Sequence, residues 1–313
     1  MMSARWLLRW LLVGQAAAVL ALAAGMVHFG VLRAWPLALL AACGVVLLCR
    51  LLITANNFLL TARFASTTPD HFVLGWRARA ALFAEEFMST LLHSSWFMAR
   101  AIACERIYPD SPCPPVLLLH GYGCNSGYWS HLMARLASAH VSHAALDLEP
   151  VMGDIDAYVP MVARACEALC EKTNANKVII VAHSMGGLVA RAYLRDHGAE
   201  RIAHVFTLGT PHHGTSLANF GIGANAAQMR RAGGGDAPES AWLRALAASE
   251  TTSMRALFTP IYTHHDNIVA PQTSSHLPGA RHIEFGGIGH VALGRNGRVL
   301  ECLMHEIMRV VQR

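Results

Sequence analysis

Ser184 sits in Ala182-His183-Ser184-Met185-Gly186-Gly187, between the apolar run Val178-Ile179-Ile180-Val181 and the segment Leu188-Val189-Ala190-Arg191-Ala192-Tyr193. A β-branched run followed by a helix former predicts a sharp strand-to-helix turn with the serine at its apex. Such a turn strains the serine backbone and needs small residues two before and two after it, which Ala182 and Gly186 supply. Taken alone, the motif also fits an ordinary turn between strand and helix. A serine hydroxyl attacks a carbonyl once a base takes its proton and a carboxylate orients that base. Both groups lie downstream. Asp266 directly follows Pro260-Ile261-Tyr262-Thr263-His264-His265, and His290 closes Gly286-Gly287-Ile288-Gly289-His290 just beyond Arg281-His282-Ile283-Glu284-Phe285. Of the 18 histidines, His290 alone stands in a Gly-x-Gly-His setting after the last expected strand. Ser184 is therefore the expected nucleophile, His290 the general acid and base, and Asp266 the orienting carboxylate.

These residues need a sheet whose strands end on one rim. Val116-Leu117-Leu118-Leu119, entered through Pro114-Pro115, reads as a strand buried on both faces, and it stops at His120-Gly121-Tyr122-Gly123. The backbone amides of Tyr122 and Met185 are the expected oxyanion donors, each worth about 3 kcal/mol to the transition state. His120, Gly121, Gly123 and His183 are expected around the substrate, although a glycine-rich turn after a strand also explains the loop. Residues 142–148 and 201–208 read as further strands and Tyr158 to Thr173 as a helix. The paired histidines His212-His213 and His264-His265 lack carboxylates at ligand spacing, so no metal is expected. Residues 219–257 form a long insertion, helical over Ala224–Arg231 and Ala241–Ala248, with Gly233-Gly234-Gly235 and Pro238 as hinge material. The preferred reading is a mobile cap over the pocket, against a static excursion.

Together these segments resemble the bacterial serine lipases and esterases of the α/β-hydrolase superfamily, in particular small lipases with an A-H-S-M-G elbow. The resemblance runs from about Pro115 to Met308 and includes Leu208-Gly209-Thr210-Pro211-His212-His213-Gly214-Thr215 and Asp266-Asn267-Ile268-Val269. One departure is Ala182, where a G-x-S-x-G elbow has glycine. The resemblance implies a mostly parallel, doubly wound sheet flanked by helices, and ester hydrolysis through an acyl-enzyme without a cofactor. Lipids are its implied substrate class. Thioesterases, amidases and acyltransferases share the same parts, and a non-catalytic membrane-bound binding module is the alternative from another class.

The chain has 313 residues, 54% of them hydrophobic and 14% charged, more apolar than a catalytic domain over 114–313 explains. The excess is at the front. Runs over 10–29 and 35–53 are each long enough to span a hydrocarbon core of about 30 Å. Residues 1–65 are expected to form a transmembrane hairpin joined through Arg33, Trp35 and Pro36. A cleaved signal peptide is the competing reading of the first run. Arg5 and Arg9 precede the first run, Arg50, Arg63, Arg77 and Arg79 lie at or after the end of the second, and the turn between them has only Arg33. The positive-inside rule then puts both ends, and the catalytic domain, on the cytoplasmic side of a bacterial inner membrane. If one run alone spans, that side reverses. Residues 66–113 form an amphipathic linker, either lying in the membrane interface or packed on the catalytic domain, and Pro109, Pro112, Pro114 and Pro115 mark its end. A net charge of +5 with scattered arginines gives no support for nucleic-acid binding. The eight cysteines show no metal spacing and read as free thiols.

Overall fold

The computed structural model describes residues 3–232 and 238–310, so the Gly233-Gly234-Gly235 hinge lies outside the described residues. Seven strands form one sheet in the order β1-β3-β2-β4-β5-β6-β7. They are β1 (Glu105–Arg106), β2 (Val116–Leu119), β3 (His143–Leu146), β4 (Val178–His183), β5 (Ile202–Leu208), β6 (Phe258–Thr263) and β7 (Ile283–Phe285). β1 pairs antiparallel at one edge, and the other five pairings are parallel. Each expected strand is present, with its bounds moved by at most a few residues.

The continuous apolar runs have the physical reason anticipated for them. Leu117, Leu119, Ile180 and Ala182 face one core layer with helices Ile155–Thr173 and Met185–His197. Their neighbours Val116, Leu118, Ile179 and Val181 face the opposite layer, under Ser130–Ser138 and Gly297–Val310. Alternate side chains point to opposite faces of a strand, so a parallel strand covered on both sides is apolar at consecutive positions.

Ahead of the sheet, α1 (Ala4–His28) and α2 (Trp35–Ala62) form a hairpin whose contact is made by small residues, Ala23, Ala38 and Ala42. Pro36 starts α2 in the first helical turn, where a missing N–H costs nothing. The helix continues past Ile53, its expected end. Large side chains such as Leu20, Leu40, Ile53 and Leu59 project outward, exposed. Both helices are long and apolar enough to cross a membrane.

The linker resolves into a short turn at Asp70–Phe72, α3 (Trp76–Leu92), a π-helical turn at His93–Phe97 and a last turn at Met98–Arg100. One face is docked on the sheet domain: Asn125 donates to the Met98 carbonyl at 2.9 Å, and a side chain on Gly127 would strike the Phe97 backbone. Trp76, Met88 and Trp96 stay exposed on the other face. Of the two readings of this segment, packing on the domain is the one the contacts express.

The insertion also divides. Leu243 and Leu246, on the helix Ala241–Ser249, are buried in the main core, and Trp242 donates to Asp156 at 2.9 Å. That part is fixed to the flank rather than free as a cap, because its apolar face covers the elbow helix and its neighbour.

Candidate active site

Ser184 ends β4 with φ 53° and ψ −125°, a left-handed conformation that few residues with a side chain adopt. Two bonds hold it there. The Ser184 N–H donates to the Leu208 carbonyl at 2.9 Å, and the Thr210 hydroxyl donates to the Ser184 carbonyl at 2.9 Å. The small residues after it are sterically required: a Cβ on Gly186 would lie 2.5 Å from the Leu119 carbonyl oxygen, and one on Gly187 would overlap the Thr210 side chain.

Asp266 and His290 come from the loops after β6 and β7. The His290 Nδ1–H donates to Asp266 Oδ2 at 2.7 Å, while Asp266 Oδ1 accepts from Ile268 and Val269 N–H groups at 2.8 and 2.7 Å. Both carboxylate oxygens are thus engaged, which holds the carboxylate in its orientation towards His290. The Asn267 side chain accepts from the His290 N–H at 3.0 Å. Burial, the largest single influence, pushes the His290 pKa down, but the charge and hydrogen bond of Asp266, with a contribution from Glu86, reverse it, and the net shift is upward. The strand end Leu208–Thr210 brings the three residues together. Its outer members fix the Ser184 backbone, and a Cβ on Gly209 between them would lie 3.1 Å from Asp266 Oδ2 and 3.2 Å from His290 Nδ1.

Opposite the serine, a Cβ on Gly121 would lie 2.9 Å from the Ser184 Cβ, so the loop carrying the Tyr122 amide passes directly over the nucleophile. Met185 opens the helix Met185–His197, and an amide in a helix's first turn has no intrahelical acceptor. Gly123 takes φ +67° with open space around it.

A cleft of about 340 Å³ runs away from Ser184. Tyr122, Leu217, Phe220, Met229 and Val269 line it from the sheet domain. Asn56, Asn57 and Leu60 of α2 line it from the hairpin, a contribution the sequence reading missed. Its one signal was a polar pair, Asn56-Asn57, inside an otherwise apolar helix.

His120 and His183 take other places than the substrate contacts expected of them. His120 is buried, donates from Nδ1 to the Gly121 carbonyl at 2.8 Å and accepts the Leu148 N–H at Nε2, 2.9 Å away. Both ring nitrogens therefore tie loop to loop. His183 stacks on Tyr128 at 4.1 Å, and its Nε2–H donates to the His290 carbonyl at 3.2 Å. Burial pushes its pKa well below the ordinary imidazole value, so it stands neutral beside His290. The paired histidines face separate partners, His213 on Glu239 and His264 on Glu284.

Residues 114–232 match the family model described as alpha/beta hydrolase fold. The chain is 31% identical over 121 residues to a triacylglycerol lipase of Pseudarthrobacter phenanthrenivorans and to one of Burkholderia plantarii, about a third of its own length and a third of theirs. Among solved structures it is similar to the mature Bacillus licheniformis lipase BlEst2, with TM-score 0.56 and 17% identity over 66% of this chain and 97% of that one. The sheet domain has the α/β-hydrolase fold. Within that fold, the matched stretch contains the elbow and the Tyr122 loop, whereas Asp266 and His290 lie beyond it and join the site through the sheet order. The α/β-hydrolase region is also met by the hairpin and α3, which lie before the matched residues and still reach the cleft and the His290 loop.

Proposed function

We propose that this protein is a membrane-anchored serine hydrolase that cleaves carboxylic esters of lipids through an acyl-enzyme on Ser184. The observation that carries the reading is the Leu208–Thr210 strand end, which touches the backbone of Ser184 and approaches both Asp266 and His290. In the reaction, His290 Nε2 takes the proton of the Ser184 hydroxyl as its oxygen attacks the ester carbonyl. Amides of Tyr122 and Met185 receive the oxyanion. Collapse breaks the carbon–oxygen bond to the alcohol, which leaves with the proton from His290. Water, deprotonated by the same imidazole, then releases the acid and restores the serine. Asp266 keeps the imidazole in the tautomer that presents Nε2 and stabilises its charged form.

Lipid acyl chains are favoured as substrates by the apolar cleft and by its α2 wall. We read α1 and α2 as a bilayer hairpin, and Phe220 and Ile222 at the cleft rim are as exposed and apolar as the hairpin's outer face. An acyl chain leaving the membrane along α2 would enter the cleft without crossing water, and each buried CH₂ favours it by about 0.8 kcal/mol. The relatives named triacylglycerol lipases act in the same direction. Arg5 and Arg9 in the first turns of α1 and Arg63, Arg77 and Arg79 after α2 favour a cytoplasmic face for the catalytic domain in this reading.

The test is fluorophosphonate labelling of the full chain, followed by p-nitrophenyl esters of increasing acyl length. Labelling at Ser184, lost in Ser184→Ala, and kcat/KM rising from acetyl to octanoyl are expected. An unlabelled protein, or turnover undiminished in Ser184→Ala, overturns the nucleophile. The full chain should stay with membranes through carbonate extraction; recovery in the soluble fraction with an N-terminus beyond residue 24 would mean a cleaved signal peptide instead.

A further inference from the structure

We propose that Glu86, on α3, is a positioning residue for His290, an inference that rests on the hydrolase reading above. Glu86 is fully buried. Its Oε1 accepts the Val291 N–H at 3.0 Å and its Oε2 the Ala292 N–H at 2.9 Å, the two amides that follow His290 in the chain. Both oxygens act as acceptors, which is the pattern of an ionised carboxylate. On the other side of His290, a Cβ at Gly289 would run into the same carboxylate, so the residue before His290 has to be glycine. Neighbouring bonds repeat the attachment. Asn296 donates to Glu85 at 2.7 Å, and Arg295 donates to the Ser89 hydroxyl at 3.3 Å.

Burying a carboxylate is costly unless donors and a counter-charge compensate it. Two amides supply the donors, and the imidazolium that forms on His290 during acyl transfer supplies the charge. The groups around that imidazole are Asp266 from the β6 loop, His183 from β4, Glu86 from α3 and the Tyr128 phenol; His183 is neutral and lies 4.6 Å away, ring to ring. Burial is the largest influence on Glu86 and raises its pKa, with the two amides and His290 acting against it, and Glu86 in turn favours the protonated His290. Asp266 and Asn267 hold His290 from the sheet, and Glu86 holds the same loop from the N-terminal segment. The loop leaves a three-residue edge strand, and a shift of about 1 Å in a catalytic group costs on the order of 100-fold in rate. The segment before the matched residues thereby becomes part of what sets the acid–base geometry.

The experiment compares Glu86→Ala and Glu86→Gln with the wild-type full chain, using fluorophosphonate labelling rates, kcat and KM for p-nitrophenyl butyrate, and the pH profile of kcat/KM. Glu86→Ala should lower kcat and the labelling rate by roughly 100-fold with KM within about twofold. Glu86→Gln, which keeps the shape and one acceptor, should recover part of the rate and move the acidic limb to lower pH. If Glu86→Ala fails to fold, Glu86→Gln decides by itself. A Glu86→Gln enzyme equal to wild type in kcat and acidic limb overturns the proposal, as does a Glu86→Ala defect confined to KM. A wild-type chain that takes no label at Ser184 overturns the triad reading and this one together.

Discussion

Tyr122 and Ile222 exchange two hydrogen bonds: the phenol donates to the Ile222 carbonyl at 2.8 Å and accepts the Ile222 N–H at 3.1 Å. One residue lies in the loop over Ser184 and the other at the start of the insertion, so the latch couples the proposed oxyanion amide to the insertion beside the cleft. Tyr122→Phe removes both bonds and leaves the ring in place. The rim is wet, so the loss is modest, about 1 kcal/mol or fivefold in kcat/KM. It should be larger for octanoyl than for acetyl esters in steady-state assays, and an unchanged series would remove the latch from the mechanism.

The raised pKa of His290 fixes the sign of the pH dependence. As a base His290 must be neutral, so activity should fall as pH drops through a value above that of an ordinary imidazole. Asp266→Asn removes the largest influence holding that value up and also the tautomer control. Its kcat should drop about 10⁴-fold, with the residual acidic limb displaced to lower pH. A pH–rate series of kcat/KM on both proteins checks this, and a limb that rises in the variant would contradict the assignment of Asp266.

Leu60 projects from α2 into the cleft that holds Ser184. Replacing it with tryptophan fills space an acyl chain needs and leaves the catalytic groups alone. We expect Leu60→Trp to lower kcat/KM for octanoyl esters about 10-fold or more while acetyl turnover changes less than about twofold. Equal losses at both lengths would place the chain elsewhere. For the same reason, a chain lacking residues 1–65 should lose chain-length preference as well as membrane retention.

Arg191 in the elbow helix and Glu250 in the insertion form a pair with buried side chains, with hydrogen bonds of 2.5 and 2.9 Å. Arg191 also donates to the His212 carbonyl at 2.8 Å, and Arg255 reaches Glu250 at 3.0 Å. Removing Arg191 leaves the buried Glu250 with Arg255 as its remaining cationic partner and the His212 carbonyl without its donor, and breaking a buried pair costs about 3 to 5 kcal/mol. Thermal unfolding of Arg191→Met should show a large fall in Tm, and Arg191→Met combined with Glu250→Met should recover part of it. Additive losses would show that the two residues do not act as a pair.

The candidate constellation was legible because its signals are local in sequence. Ser184, Asp266 and His290 each follow a segment with strand character, a continuous apolar run before Ser184 and an alternating one before His290, and each is flanked by the small or turn-forming residues that a strand end needs. The same logic misled for His120 and His183. Adjacent to functional residues in sequence, they point the other way once the pleat and the elbow are built, and their ring nitrogens bind main chain instead. The insertion was legible as helical but not as fixed, since burial of Leu243 and Leu246 depends on a helix far away in sequence.

From sequence alone come the parallel sheet, the elbow, the order of the candidate residues Ser184, Asp266 and His290 and the two apolar helices, because periodicity and turn chemistry act over a few residues. What lay out of reach were pairings across more than 100 residues: Leu60 beside the cleft of Ser184, and the Glu86 carboxylate against the amides after His290. A glutamate on a half-apolar helix reads as a solvated charge until the fold shows two buried N–H donors facing it. Which surface a helix covers is decided by the packing of the whole core, and no local pattern carries that information.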